Sequence, residues 1–239
     1  MQAALKKSLL AQACAPYRPH GPSNYYWARG KLKHDPVFDW LLTQGVVPNH
    51  ARVLDLGCGR GLLAAWMLAA ERIAQDGSWT APVRPPRGLR FHGIDLVARE
   101  IACGNQALQP LYGDRVALFE QDIRSFELPA ADAVVILDVL HYVPYTDQDR
   151  LLDRVRASLG SGGVFITRVG DARGGLRFRF SQWVDRWISF VQGHRLSRLW
   201  CRPLADWVHA LERRGYEVQA LPMSAGTPFA NVMIVSRVP

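Results

Sequence analysis

The stretch Val53-Leu-Asp-Leu-Gly-Cys-Gly-Arg-Gly61 joins an apolar run carrying one acid, Asp55, to three glycines at alternate positions, Gly57, Gly59 and Gly61. A loop of this kind brings bare backbone against a ligand. Its glycines remove Cβ obstruction and permit positive φ, and the N-terminus of a following helix offers free N–H groups to polar or anionic atoms. The spacing is one residue tighter than the dinucleotide fingerprint, and no Lys-Ser/Thr pair follows, so a phosphate-binding P-loop is excluded. Three further acids and a histidine stand where apolar runs end: Asp95 in Phe91-His-Gly-Ile-Asp-Leu96, Asp122 in Glu120-Gln-Asp-Ile-Arg124, and Asp138 and His141 in Val134-Val-Ile-Leu-Asp-Val-Leu-His-Tyr-Val143. An imidazole near neutral pKa can take a proton from an oxygen or nitrogen nucleophile.

The elements that must position these residues alternate. Arg52–Gly57 reads as a buried strand, Leu62–Ala74 as an almost wholly apolar helix, Arg90–Leu96 as a strand and Ala98–Leu108 as a helix. Val116–Gln121 and Ala133–Asp138 follow as strands. Thr146 and Asp149 resemble a capping box, Leu151, Leu152, Val155 and Leu159 line a helix that Gly160 ends, and Val164–Val169 is a strand. A helix near Pro203–Arg213 precedes two strands, Tyr216–Leu221 and Asn231–Arg237, joined by a loop without a helix, which makes the last strand antiparallel. The pattern predicts an α/β fold: a doubly wound, seven-stranded, mostly parallel sheet with a C-terminal antiparallel hairpin. Upstream, Asp35 caps a short helix begun by Pro36, and the Pro-rich stretch from Asp76 to Arg87 reads as a surface insertion. The expected organisation is an N-terminal helical cap over 1–50 and a ligand-binding domain over 51–239, with a lid inserted at about 171–202.

In its glycine loop, strand order and terminal hairpin, the chain resembles the class I S-adenosylmethionine-dependent methyltransferases over roughly Val53 to Arg237. The resemblance implies S-adenosyl-L-methionine as cofactor, bound by the loop that contains Asp55, Gly57, Cys58, Gly59 and Gly61. Asp95 stands where relatives accept both ribose hydroxyls, with Leu96 beside it. Asp122 stands at the position that meets the adenine amino group, and the Ile123 N–H at the one that faces a ring nitrogen. The Pro/Arg-rich insertion makes the separation of Gly61 from Asp95 longer than usual for the family. The exit of the fourth strand borders the methionine portion in relatives. There, Asp138 either contacts cofactor or caps the strand, His141 either acts as a base or packs beside the cofactor, and Tyr142 either orients substrate or packs. Tyr25-Tyr-Trp-Ala-Arg-Gly-Lys31, placed before the first helix, offers Arg29 to the methionine carboxylate or to solvent. Cys58 carries no sign of being a nucleophile.

Composition narrows the chemistry. The chain has 239 residues, 49% hydrophobic and 21% charged, with a mean hydropathy of -0.06, so it should fold around a sizeable core and not span a bilayer. Residues 1–15 imitate a secretory signal only faintly, and four scattered cysteines without a C-x-x-C pair disfavour structural zinc and disulfides, so a cytoplasmic location is expected. Net charge is +8, and eight arginines between Arg168 and Arg202 face only Asp171 and Asp185. Phe180, Trp183, Val184, Trp187, Ile188 and Val191 form one stripe of a lid helix. The motifs of base-modifying enzymes are absent after the fourth strand, so nucleic acid is disfavoured despite the positive charge. Gly170-Asp-Ala-Arg-Gly174 lacks the Asp-Asn pair of magnesium-dependent relatives, so no metal is expected. The reading is methyl transfer to a small molecule, aromatic, anionic or presented by an acidic carrier protein, with membrane contact through the basic lid helix not favoured. Two alternatives stand beside it: a nicotinamide-dependent oxidoreductase and a non-catalytic cofactor-binding module.

Overall fold

In a computed structural model, residues 1–170, 199–223 and 231–239 are described. The helices are α1 (Ala3–Cys14), α2 (Pro22–His34), α3 (Pro36–Thr43), α4 (Leu62–Gln75), α5 (Ala98–Tyr112), α6 (Tyr145–Ser158) and α7 (Leu204–Glu212). The strands are β1 (Arg52–Leu56), β2 (Arg90–Asp95), β3 (Val116–Glu120), β4 (Ala131–Leu137), β5 (Leu159–Gly170), β6 (Glu217–Pro222) and β7 (Asn231–Arg237). They form one sheet in the order β3-β2-β1-β4-β5-β7-β6. This is the predicted doubly wound sheet with its terminal hairpin.

Backbone contacts group the chain into two compact units, residues 1–123 with 131–133, and residues 124–130 with 134–239. In the first unit β1, β2 and β3 run parallel, with Asp55 opposite Gly93 and Asp95 opposite Glu120. Helix α4 is buried along nearly its whole length, as its apolar sequence requires, and Trp66 donates from Nε1 to the Phe38 carbonyl at 2.9 Å. Asp35 accepts from the Val37 N–H at 3.1 Å, confirming the predicted cap of α3. In the second unit β7 is antiparallel to both β5 and β6.

Several expectations are corrected. Residues 3–14 form α1, with Leu5, Leu9 and Leu10 buried on its inner face, and Tyr25–Lys31 lies inside α2, not ahead of the first helix. Helix α5 runs four residues past Leu108. Pro110 lies in its final turn, where a proline removes a single N–H bond, and the helix stops at Gly113, which has φ 57°. The capping box at Thr146 does not form. Pro144 precedes α6, so Thr146 falls within the first turn, and the Asp149 carboxylate accepts from Arg202 Nη2 at 2.9 Å. That helix ends at Ser158, ahead of Gly160, because β5 begins at Leu159 and the Gly162 N–H pairs with the Val238 carbonyl at 2.9 Å. The stripe from Phe180 to Val191, most of the proposed lid and most of the loop before β7 lie outside the described residues. Among the described residues no helix is long and apolar enough to cross a membrane.

The residues that follow the undescribed segment are firmly held within the second unit. Gln148, fully buried, donates from Nε2 to the carbonyls of Leu140, Val143 and Trp200 at 2.8–2.9 Å and accepts from Arg202 Nε at 2.7 Å. Both its amide nitrogen and its amide oxygen have partners, which is what its burial demands.

Candidate functional site

The glycine loop takes the conformation its composition allows. Gly57, Gly59 and Gly61 have φ of 86°, 53° and 72°. The Gly57 and Cys58 N–H groups both donate to the Ile94 carbonyl, at 2.8 and 3.0 Å, which ties the loop to the end of β2. There Asp95 accepts from the Gly59 N–H at 3.0 Å and from the Val97 N–H at 2.9 Å. A Cβ built on Gly59 meets nothing within 4 Å, so the backbone faces open space beside a carboxylate. Leu96, next to that carboxylate, is 59% exposed. The Gln121 N–H donates to the Asp95 carbonyl at 3.0 Å, so the segment bearing Asp122 and the buried Ile123 leaves β3 beside the same acid. Of the residues expected in a cofactor site, the first unit therefore gathers the loop, Asp95, Leu96, Asp122 and Ile123.

Asp55 lies on β1 with 5% of its surface exposed, and burial, aided by the charge of Asp95, pushes its pKa up to about 7. Burial also holds the Cys58 thiol well above its ordinary value, so a thiolate is disfavoured there. Its sulfur lies 3.6 Å from the Gly59 carbonyl oxygen, and all four cysteines are free.

Residues that the motif reading missed make the loop rigid. Tyr17, fully buried, donates its hydroxyl to the Arg60 carbonyl at 2.8 Å. The Arg60 guanidinium forms a two-pronged pair with Glu100 of α5, with Nη2 to Oε1 at 2.9 Å, donates to Asn24 Oδ1 at 2.7 Å, and lies 4.4 Å from the centre of the Trp27 ring. Residues of α2 thus reach the loop through Asn24 and Trp27. Arg29, half-buried on the same helix, acts by its charge on the buried Cys14, while Lys31 pairs with Asp35 at 2.9 Å.

Gly93 and Gly104 are a second omission. A Cβ at Gly93 would fall 2.7 Å from the Cys58 sulfur, and one at Gly104 would fall 2.8 Å from the Arg60 carbonyl oxygen and 2.5 Å from Leu118. A glycine inside a helix pattern was the only available signal. Gly104→Ala is therefore expected to destabilise the fold by about 1–3 kcal/mol despite alanine's better helix propensity, because the obstructing atom is loop backbone. A melting temperature equal to or above that of the parent would contradict this packing.

In the second unit Asp138 follows β4 with φ 57°, a left-handed conformation that aspartate tolerates better than most residues. Its carboxylate receives a two-pronged interaction from Arg168, Nε to Oδ1 at 2.8 Å, and Arg168 is 4% exposed. The arginine sits in the apolar strand β5, where a buried cation requires such a partner. His141 and Tyr142 lie in the turn that follows, their ring centroids 4.0 Å apart. Desolvation lowers the His141 pKa and so favours the neutral imidazole, an effect that the Asp138 charge partly opposes.

The profile of a family described as a methyltransferase domain matches residues 27–221. Carboxy-S-adenosyl-L-methionine synthase of Haemophilus ducreyi is 29% identical over 127 residues, 53% of this chain and 47% of that protein. Ubiquinone biosynthesis O-methyltransferase of Xylella fastidiosa is 26% identical over 156 residues, 63% of this chain and 53% of that protein. The chain thus spans about half the length of the curated relatives it matches. Among solved structures, magnesium protoporphyrin IX methyltransferase from Synechocystis with bound S-adenosylhomocysteine superposes with a TM-score of 0.58 at 20% identity, over 90% of this chain and 87% of that one. With the family profile covering most of its length and the sheet order completing the likeness, the chain belongs to the methyltransferase domain family and has the class I S-adenosylmethionine-dependent methyltransferase fold.

Proposed function

We propose that this protein transfers a methyl group from S-adenosyl-L-methionine to a small apolar or aromatic acceptor in the cytoplasm. The observation that carries the reading is Asp95, a carboxylate fixed by the Gly59 and Val97 N–H groups beside open glycine backbone and an exposed Leu96. An acceptor-only group next to bare backbone suits a ribose diol, and an exposed leucine suits the face of a purine.

The residue roles follow from that placement. Asp55, Gly57, Cys58, Gly59 and Gly61 border the amino-acid end of the cofactor, with Arg29 supplying a cation for its carboxylate. Asp95 holds the ribose, Leu96 covers the adenine, and Asp122 with the Ile123 N–H reads its polar edge. When bound, the cofactor supplies an electrophilic methyl carbon on a sulfonium. Asp138, locked by Arg168, sets the turn that carries His141, and the neutral imidazole accepts the proton of the attacking hydroxyl or amine while Tyr142 orients that group. Residues 1–50 act as a helical cap on the catalytic domain. The small-molecule preference is supported by relatives whose names specify ubiquinone biosynthesis and magnesium protoporphyrin IX as their business.

The test is thermal unfolding with S-adenosylhomocysteine set against NADH and NADPH, followed by mass spectrometry of reactions with quinol and porphyrin acceptors. Ligand at about 100 times its dissociation constant stabilises by roughly 2.7 kcal/mol, a shift of several degrees. A shift with a nicotinamide nucleotide alone would overturn the reading. A carboxylated cofactor in place of a methylated acceptor would assign the activity named for the Haemophilus ducreyi relative.

A further inference from the structure

We propose that the outward face of α2 docks the protein on an anionic lipid surface. Helix α2 turns Ala28 and Leu32 inward, both fully buried. Its opposite side presents Tyr26, 68% exposed, and Trp27, 42% exposed. Lys33 lies seven residues beyond Tyr26 and His34 seven beyond Trp27, so the two aromatic rings share one face of the helix with a lysine and an imidazole. The charge around them is one-sided: residues 1–34 contain six lysines and arginines and no aspartate or glutamate. The nearest acids in sequence, Asp35 and Asp39, are engaged by Lys31 and Lys6, and Glu100 is engaged by Arg60. Among the described residues Lys7, Arg18, Arg29 and Lys33 have no acidic partner.

Tryptophan and tyrosine partition to the headgroup level of a bilayer, where the ring is desolvated and its polar edge stays wet, and lysine stems extend along the same boundary with the ammonium at the phosphates. An acidic protein would be met by the cations alone. The adjacent exposed rings favour the lipid interface, where apolar area and anionic attraction act together. Trp27 also touches Arg60 of the glycine loop, so docking by this face brings the loop close to the lipid, a route for an apolar acceptor. That last consequence rests on the proposed function, while the docking itself does not.

The experiment is sedimentation of the full chain with vesicles of phosphatidylcholine mixed with phosphatidylglycerol, compared with phosphatidylcholine alone. S-adenosylhomocysteine affinity is measured in parallel on each variant. The parent is expected to bind the mixed vesicles and to lose binding at high salt. A cation near such a surface is worth about fivefold in binding, so Lys33→Glu should weaken it at least that much. Tyr26→Ser should weaken it several-fold while leaving S-adenosylhomocysteine affinity at the parent value. Equal binding to neutral vesicles, or parental vesicle binding by both variants, would overturn the proposal. So would retention by an immobilised acidic carrier protein or an oligonucleotide without any vesicle binding. Failure of S-adenosylhomocysteine binding in the parent would instead count against the proposed function and leave the vesicle result standing.

Discussion

Replacing Asp95 with alanine is expected to weaken S-adenosylhomocysteine binding by two to four orders of magnitude, measured by titration calorimetry. Each hydrogen bond to a charged group contributes about 1.5–3 kcal/mol, and the role proposed for this carboxylate is to accept two from the ribose, for about 3–6 kcal/mol together. The same substitution deprives the Gly59 N–H of the acceptor it meets at 3.0 Å, so the loop also loses a tether. Asp95→Asn keeps the shape and one carbonyl acceptor and should fall between the two. A loop that had merely come apart would show as a lower melting temperature without ligand. Parental affinity in Asp95→Ala would remove this residue from the site while leaving family membership intact.

The order of β1, glycine loop and α4 was legible because each step has its own chemistry: a mostly apolar run, residues that permit positive φ, then a helix that is apolar from Leu62 to Ala70. The terminal hairpin was legible from the absence of a helical pattern between two strands. The supports of the site were not. Tyr17 meets the loop 43 positions along the chain, and Glu100 meets Arg60 40 positions away, so no local spacing announces either. Arg168 could have been questioned as a cation inside a buried strand, but nothing local names Asp138 as its partner. Helix α2 escaped because its run of aromatic and basic residues lacks an apolar stripe, and only Ala28 and Leu32 reach the interior. Helix α5, expected to end at Leu108, continues through Pro110 to Tyr112. A proline is a strong stop within a helix and a weak one in its last turn, and sequence alone does not say which turn is last.

Asp55 should make the protein less stable as the solution becomes more alkaline, and Asp55→Asn should remove that loss. Its pKa rises to about 7 in the folded state because burial penalises the carboxylate and Asp95 repels it. In the unfolded chain the group titrates near the ordinary value of about 3.9. The folded state therefore holds the proton more tightly. Its stabilising contribution is complete below about pH 4, declines as pH rises, and is gone above about pH 7. A gap of about three pKa units corresponds to roughly 4 kcal/mol, which for a chain of this size is about 8–16 °C in melting temperature. Asp55→Asn should accordingly melt close to the parent at pH 4 and well above it at pH 8, the difference growing across the interval. A difference that stays constant from pH 4 to pH 8 would show that Asp55 does not titrate there. Desolvation is the larger cause and the Asp95 charge the smaller, so Asp95→Ala should move the midpoint of this transition downward without abolishing it. A midpoint that fell all the way to the ordinary carboxylate range would instead make repulsion between the two acids the dominant cause.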